Sequence, residues 1–170
     1  YAVAPASAPV KIYNFGTWDL QTTLASRPVG QASAIAFVPT VSTNSEDQRL
    51  IVGDTDIDVW NPQSGSFVRD ITEIKVRVKA IAYSTDGQAI VAGGSDGNSA
   101  RQTLSVWNTS TGVKTNANFP LSVGNDIQAV GFIDGNQKIL SFSGNTLSIW
   151  ETLTGARIST QPSCCGRVVI

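Results

Sequence analysis

An internal repeat constrains this chain more than any other feature. Ala34-Ile35-Ala36-Phe37, Ala80-Ile81-Ala82-Tyr83 and Ala129-Val130-Gly131-Phe132 share a small-apolar-small-aromatic signature, and their first residues stand 46 and 49 positions apart. Each is followed by a Gln-led apolar stretch (48–52, 88–92, 137–141). Next comes a segment ending in tryptophan: Ile57-Asp58-Val59-Trp60, Leu104-Ser105-Val106-Trp107 and Leu147-Ser148-Ile149-Trp150. A five-residue turn closed by glycine (Gly65, Gly112, Gly155) then leads into a further short segment, 66–71, 113–119 or 156–160. Apolar and polar residues alternate with period two throughout, which predicts strands, and glycine supplies the positive φ such turns need. Several short strands at regular spacing point to an all-β fold.

The order of strand a, Asp-Gly turn, strand b, turn, strand c ending in Trp, Ser/Thr-Gly turn and strand d resembles the WD-repeat family. Its middle copy matches best, with Ser84-Thr85-Asp86-Gly87 after strand a, Gly93-Gly94-Ser95-Asp96-Gly97 after strand b, and Trp107-Asn108 in place of Trp-Asp. The resemblance implies a β-propeller of four-stranded antiparallel blades. Residues 1–24 supply strands b, c and d of a first blade, with Tyr13 where the Trp belongs. Residues 32–72, 77–119 and 127–160 supply three further blades, and 166–170 open another strand a. About four blades' worth of strands results. Three completions are open: a partial propeller, half of a dimeric ring, or a closed four-bladed ring. Four blades are rare in the family, so the first two are preferred.

The chain departs from the family in having no histidine. The family's blade network of His, Asp, Ser or Thr, and Trp is therefore absent in its usual form, and rigidity is expected to come from apolar packing between sheets. Asp54 and Asp96 are suited to the turn-Asp role, which in the family is structural. Tyr13, Trp60, Trp107 and Trp150, with Gly65, Gly112 and Gly155, read as structural blade residues.

Composition narrows the function. Twelve Lys and Arg balance thirteen Asp and Glu, with no basic block, so neither nucleic acid nor an anionic membrane is expected as a partner. No apolar stretch approaches the roughly 20 residues of a membrane span. Without histidine, Ser-His and Cys-His pairs cannot form, and no cofactor, metal site or catalytic residue is expected. Asp54-Thr55-Asp56-Ile57-Asp58 resembles a calcium loop only superficially, because Val59 and Gly65 stand where Gly and Glu are required. The Gly-rich 93–98 stretch lacks the Lys-Ser/Thr of a phosphate loop. Asn108-Thr109-Ser110 matches a glycosylation sequon but falls in a repeat turn. Cys164 and Cys165 are adjacent and form no disulfide framework, which leans toward a cytoplasmic or nuclear setting. A chain that opens on Tyr1 and contains no Met reads as processed or excised.

The function expected is therefore that of a non-catalytic protein-protein interaction scaffold. Its partners would dock on the d–a and b–c loops, where Arg27, Asp54, Glu73, Lys75, Asp96, Arg101, Asn125 and Asp126 stand. Insertions at 39–47 and 98–102 lengthen two loops. One alternative is a self-assembling unit that completes a larger propeller by strand exchange, as a homodimer or with blades on another chain. The other is a ligand- or glycan-binding propeller.

Overall fold

The computed structural model describes residues 2–3, 9–24, 32–39, 49–71, 77–95, 102–115, 117, 119–121 and 126–162. Fourteen strands fall in these residues, in four antiparallel sheets. The first sheet holds β1 (Ala2–Val3), β2 (Lys11–Tyr13) and β3 (Leu20–Thr23). The second holds β4 (Ala34–Phe37), β5 (Leu50–Gly53), β6 (Ile57–Trp60) and β7 (Phe67–Ile71). The third holds β8 (Arg77–Tyr83), β9 (Ala89–Ser95) and β10 (Gln102–Asn108). The fourth holds β11 (Ile127–Ile133), β12 (Lys138–Ser143), β13 (Thr146–Glu151) and β14 (Arg157–Pro162). Within each sheet the strands follow chain order, and β4, β8 and β11 pack in succession. All-β architecture of propeller type is thereby observed.

One strand differs from expectation. The d strand expected at 113–119 is reduced to a single bridge, Trp107 to Lys114, made by Asn108 N–H to Val113 O (2.9 Å) and Thr115 N–H to Val106 O (2.8 Å). Beyond it the chain leaves the sheet and packs Ala117 and Phe119 into the apolar layer instead. Burial of an aromatic ring has replaced ladder hydrogen bonds as the use of this segment.

The core is a series of seams between sheets. Val10, Ile12 and Leu24 of the first sheet meet Leu50, Val52 and Trp60 of the second. Ile51, Ile57, Val59 and Ile71, on the second sheet's other face, meet Val78, Tyr83, Ile90, Ala92 and Trp107 of the third. Ala80, Val91, Leu104, Val106 and Phe119 then meet Ile127, Val130, Ile139 and Trp150 of the fourth. Trp60, Trp107 and Trp150 thus face the preceding sheet, and all three are 2% exposed. Stability in such a row is mainly a sum of sheet and nearest-neighbour seam terms.

Two glycines set the seam spacing. A Cβ at Gly53 would lie 2.7 Å from Val78 Cγ1, and one at Gly93 would run into Ile127 Cγ2. Backbone groups tie the same seam, with Val78 N–H donating to Asp54 O at 2.6 Å and the Ser33 hydroxyl donating to Val78 O and to Gly53 O (3.2 Å).

The three buried indoles differ in what their N–H groups meet. The Trp150 indole N–H donates to Ser141 Oγ at 2.7 Å. Trp150 pairs with Ile139, so Ser141 stands two residues along β12 on the same face; by the same register the equivalent residues are Ala92 for Trp107, which pairs with Ile90, and Val52 for Trp60, which pairs with Leu50. Neither carries an acceptor, and the Trp60 and Trp107 indole nitrogens are buried with no hydrogen-bond partner.

Candidate interaction surface

Antiparallel strands in chain order place the b–c and d–a loops at one end of every sheet and the a–b and c–d turns at the other. At the first end, Asp54 is 3% exposed. Its N–H donates to Asp56 O at 3.0 Å and its carbonyl accepts from Val78, while its Oδ1 lies buried with no hydrogen-bond partner. This is an interior turn residue that braces the next sheet, and its side chain is not presented to a partner. Asp126 is exposed just before β11. Arg27, Glu73, Lys75, Asp96, Arg101 and Asn125 lie outside the described residues, as do Cys164, Cys165, the 166–170 segment and most of both loop insertions.

At the opposite end the c–d turns share one geometry. The closing residue donates its N–H back four positions: Gly65 to Asn61 O (2.9 Å), Gly112 to Asn108 O (2.8 Å) and Gly155 to Glu151 O (2.9 Å). Their φ values are 69°, 71° and 75°. Asn61 and Asn108 lock two of these turns by accepting backbone N–H bonds on Oδ1, so the sequon asparagine is engaged in its own turn. In the first sheet the same bond runs from Trp18 N–H to Asn14 O (3.1 Å), and Trp18 has φ 61°. A tryptophan therefore occupies the left-handed position that glycine fills in the other three turns. Backbone of that kind costs a bulky residue roughly 1–2 kcal/mol, and such strain concentrates at functional positions.

Other large apolar side chains are exposed on the same hairpin. Phe15 is 90% exposed, Trp18 60% and Leu20 52%, all on the hairpin of β2 and β3. Thr109 and Thr152, the counterparts of Phe15, are bound to the a–b turns of their own sheets through Thr109 Oγ1–Gly87 O (2.7 Å) and Thr152 Oγ1–Asn136 O (2.9 Å). Pro62, the counterpart in the second sheet, has no hydroxyl and is buried, whereas Phe15 projects. Single exposed apolar residues are ordinary, whereas three large ones within six positions form a patch. Alignment of 14–18 on 61–65 is the signal that locates Trp18, and the strand behind it begins only at Leu20.

Among the described residues no group of three His, Cys, Asp or Glu could hold a metal ion. The perturbed groups have structural causes. The Ser84 hydroxyl (2.6 Å) and the Gln88 N–H (3.0 Å) hold the Asp86 carboxyl below its ordinary range while closing the β8–β9 turn. Burial pushes the Tyr83 phenol well above its usual value.

No family model matches the chain. It is similar to Protein FIZZY-RELATED 3 of Arabidopsis thaliana, at 25% identity over 146 residues, 83% of this chain and 29% of that protein. The likeness to the WD-repeat family is thus distant and partial. Among solved structures it is similar to the computationally designed Ika8 protein, with a TM-score of 0.71 and 21% identity over 95% of this chain and 46% of that one. The chain spans under a third of the curated relative and under half of the designed chain. The structural likeness establishes a propeller-type fold, as far as four sheets extend.

Proposed function

We propose that this chain is a non-catalytic protein-interaction scaffold that engages its partner through the apolar corner of its first sheet. The observation that carries the proposal is the pairing of Phe15, 90% exposed, with Trp18, 60% exposed and in left-handed backbone. Aromatic side chains supply most of the energy at protein interfaces, because they bury large areas at low entropic cost. The propeller-type fold and the partial WD-repeat likeness support the same class of function. The test compares Phe15→Ser and Trp18→Gly with charge reversal of Lys75 and Arg101, using titration calorimetry against a co-purified partner. Corner substitutions are expected to weaken binding by about 1–3 kcal/mol each, and loop reversals to leave it nearly unchanged. The opposite pattern overturns the corner and returns the site to the b–c and d–a loops.

A further inference from the structure

At the end of the molecule that carries the c–d turns, the seam between the second and third sheets gathers cations. Arg69 stands on β7 opposite Val59, on the face that meets the third sheet. Its guanidinium crosses the seam, with Nη1–H donating to Ser110 O at 2.9 Å in the turn that Gly112 closes. By register the counterparts of Arg69 are Thr22 in the first sheet and Ser159 in the fourth, both neutral. Lys114 bridges to Trp107, and cross-strand partners share a face, so Lys114 stands on the side of the third sheet that meets the second. Arg157 holds the same place opposite Trp150, 6.0 Å from the ring centroid. Arg49 joins the group from β5. Its carbonyl takes the Val38 N–H at 2.9 Å, one step beyond the Phe37–Leu50 pair, which sets Arg49 two residues from Ile51 on the seam face. Burial raises the Tyr83 phenol and the charges of Arg49 and Arg69 pull it back, so both guanidiniums act on the hydroxyl at the end of β8.

Among the described residues neither Arg69 nor Lys114 meets a carboxylate. Acids at this end are held elsewhere: Asp86 by Ser84 and the Gln88 N–H, Asp134 by Lys138, and Glu151 by Thr154. Asp70, next along β7, belongs to the opposite face. A guanidinium offers five N–H donors in a planar fork that matches phosphate and carboxylate oxygens. The bond to Ser110 fixes that fork beside Gly112, where a Cβ would lie 3.6 Å from Nη1. Arg69 is half-buried and Lys114 exposed, so both are open to a ligand from solvent. Like charges set along one rim raise the local potential and attract an anion. A phosphate monoester, at roughly −1.5 to −2 near neutral pH, answers several cations better than a single carboxylate does.

We infer that this end of the second–third seam binds a phosphate group through Arg69 and Lys114, with Arg49 and the Tyr83 hydroxyl beside them. The site is separate from the Phe15–Trp18 corner, and neither reading depends on the other. Titration of the isotope-labelled chain with inorganic phosphate, at an ionic strength fixed with sodium chloride, is expected to shift the Ser110 and Gly112 amide NMR signals saturably. Half-saturation is expected on the order of 1–10 mM. Acetate should bind about threefold more weakly or worse, having one charge. N-acetyl phosphoserine amide separates the sources: tighter binding than inorganic phosphate supports a phosphorylated partner, and weaker binding supports the free anion. Arg69→Gln is expected to raise the half-saturating concentration about tenfold, and Lys114→Gln about two- to fivefold, with far-UV circular dichroism unchanged. Lys114→Gln carries the test if Arg69→Gln does not fold. Shifts that stay linear to about 50 mM phosphate, acetate that matches phosphate, or a response that neither substitution weakens overturns the inference. Phe15→Ser leaves this titration unaltered even where it abolishes binding to a protein partner, so the two readings fail separately.

Discussion

Replacing Ala92 by Ser should make the protein more stable, an unusual expectation for a polar substitution in a buried strand. Ala92 is 3% exposed and packs in the same cluster as Trp107, whose indole N–H is buried with no partner. Its place is that of Ser141, whose Oγ takes the Trp150 indole N–H at 2.7 Å. An unsatisfied buried donor costs about 1–3 kcal/mol, and a hydrogen bond returns a net 0.5–1.5 kcal/mol once the hydroxyl's own desolvation is counted. The expected gain is about 1 kcal/mol, or roughly 2–4 °C in Tm for a chain of this size. Ser141→Ala is the converse and should cost about 1–3 kcal/mol by orphaning Trp150. Urea unfolding followed by tryptophan fluorescence measures both, with the m value checking that cooperativity is unchanged. A neutral or destabilising Ala92→Ser, or a neutral Ser141→Ala, would show that the indole bond is not what distinguishes these sheets.

Three further outcomes follow from local geometry. Trp18→Gly relieves left-handed backbone but gives the unfolded chain more freedom, so a net stabilisation of about 0.5–1 kcal/mol is expected in thermal unfolding, alongside lost partner affinity. Gly94→Ala should abolish folding, seen as loss of the β circular dichroism signal, because its Cβ would overlap the Arg77 carbonyl oxygen in the paired strand. Burial raises the Tyr83 pKa in the folded state, so stability is complete below the unfolded-state value of about 10 and falls as pH climbs above it. Tyr83→Phe removes that loss, and its alkaline unfolding midpoint should move upward.

The fold was legible because its signals are local and repeated. Trp60, Trp107 and Trp150, and the turn glycines behind them, recur at one period, and the chain answers with strands and left-handed turns at those places. Less legible was anything set by neighbouring sheets. Residues 113–119 alternate like a strand, yet Phe119 gains more from meeting Trp150 edge-on at 6.0 Å than a ladder position offers. Asp54 looks like a loop carboxylate in sequence; only the approach of Val78 reveals that it is interior. That Ser141 takes the Trp150 indole N–H, where Ala92 and Val52 offer no acceptor, depends on a cross-strand diagonal. Phe15 and Trp18 belong to no motif, and their significance emerged only when their turn was superposed on the other three.

The glycine seats also bear on how such an array can lengthen. A duplicated unit inserted between the second and third sheets would bring its own seat for the sheet behind it and its own aliphatic knob for the sheet ahead, and the chain would accept it without other change. At the fourth sheet that seat is filled, because Phe142 stands where Gly53 and Gly93 do. Interchange of units is therefore open at the seams that a glycine seat receives, and Phe142 gives the fourth sheet a face of another shape.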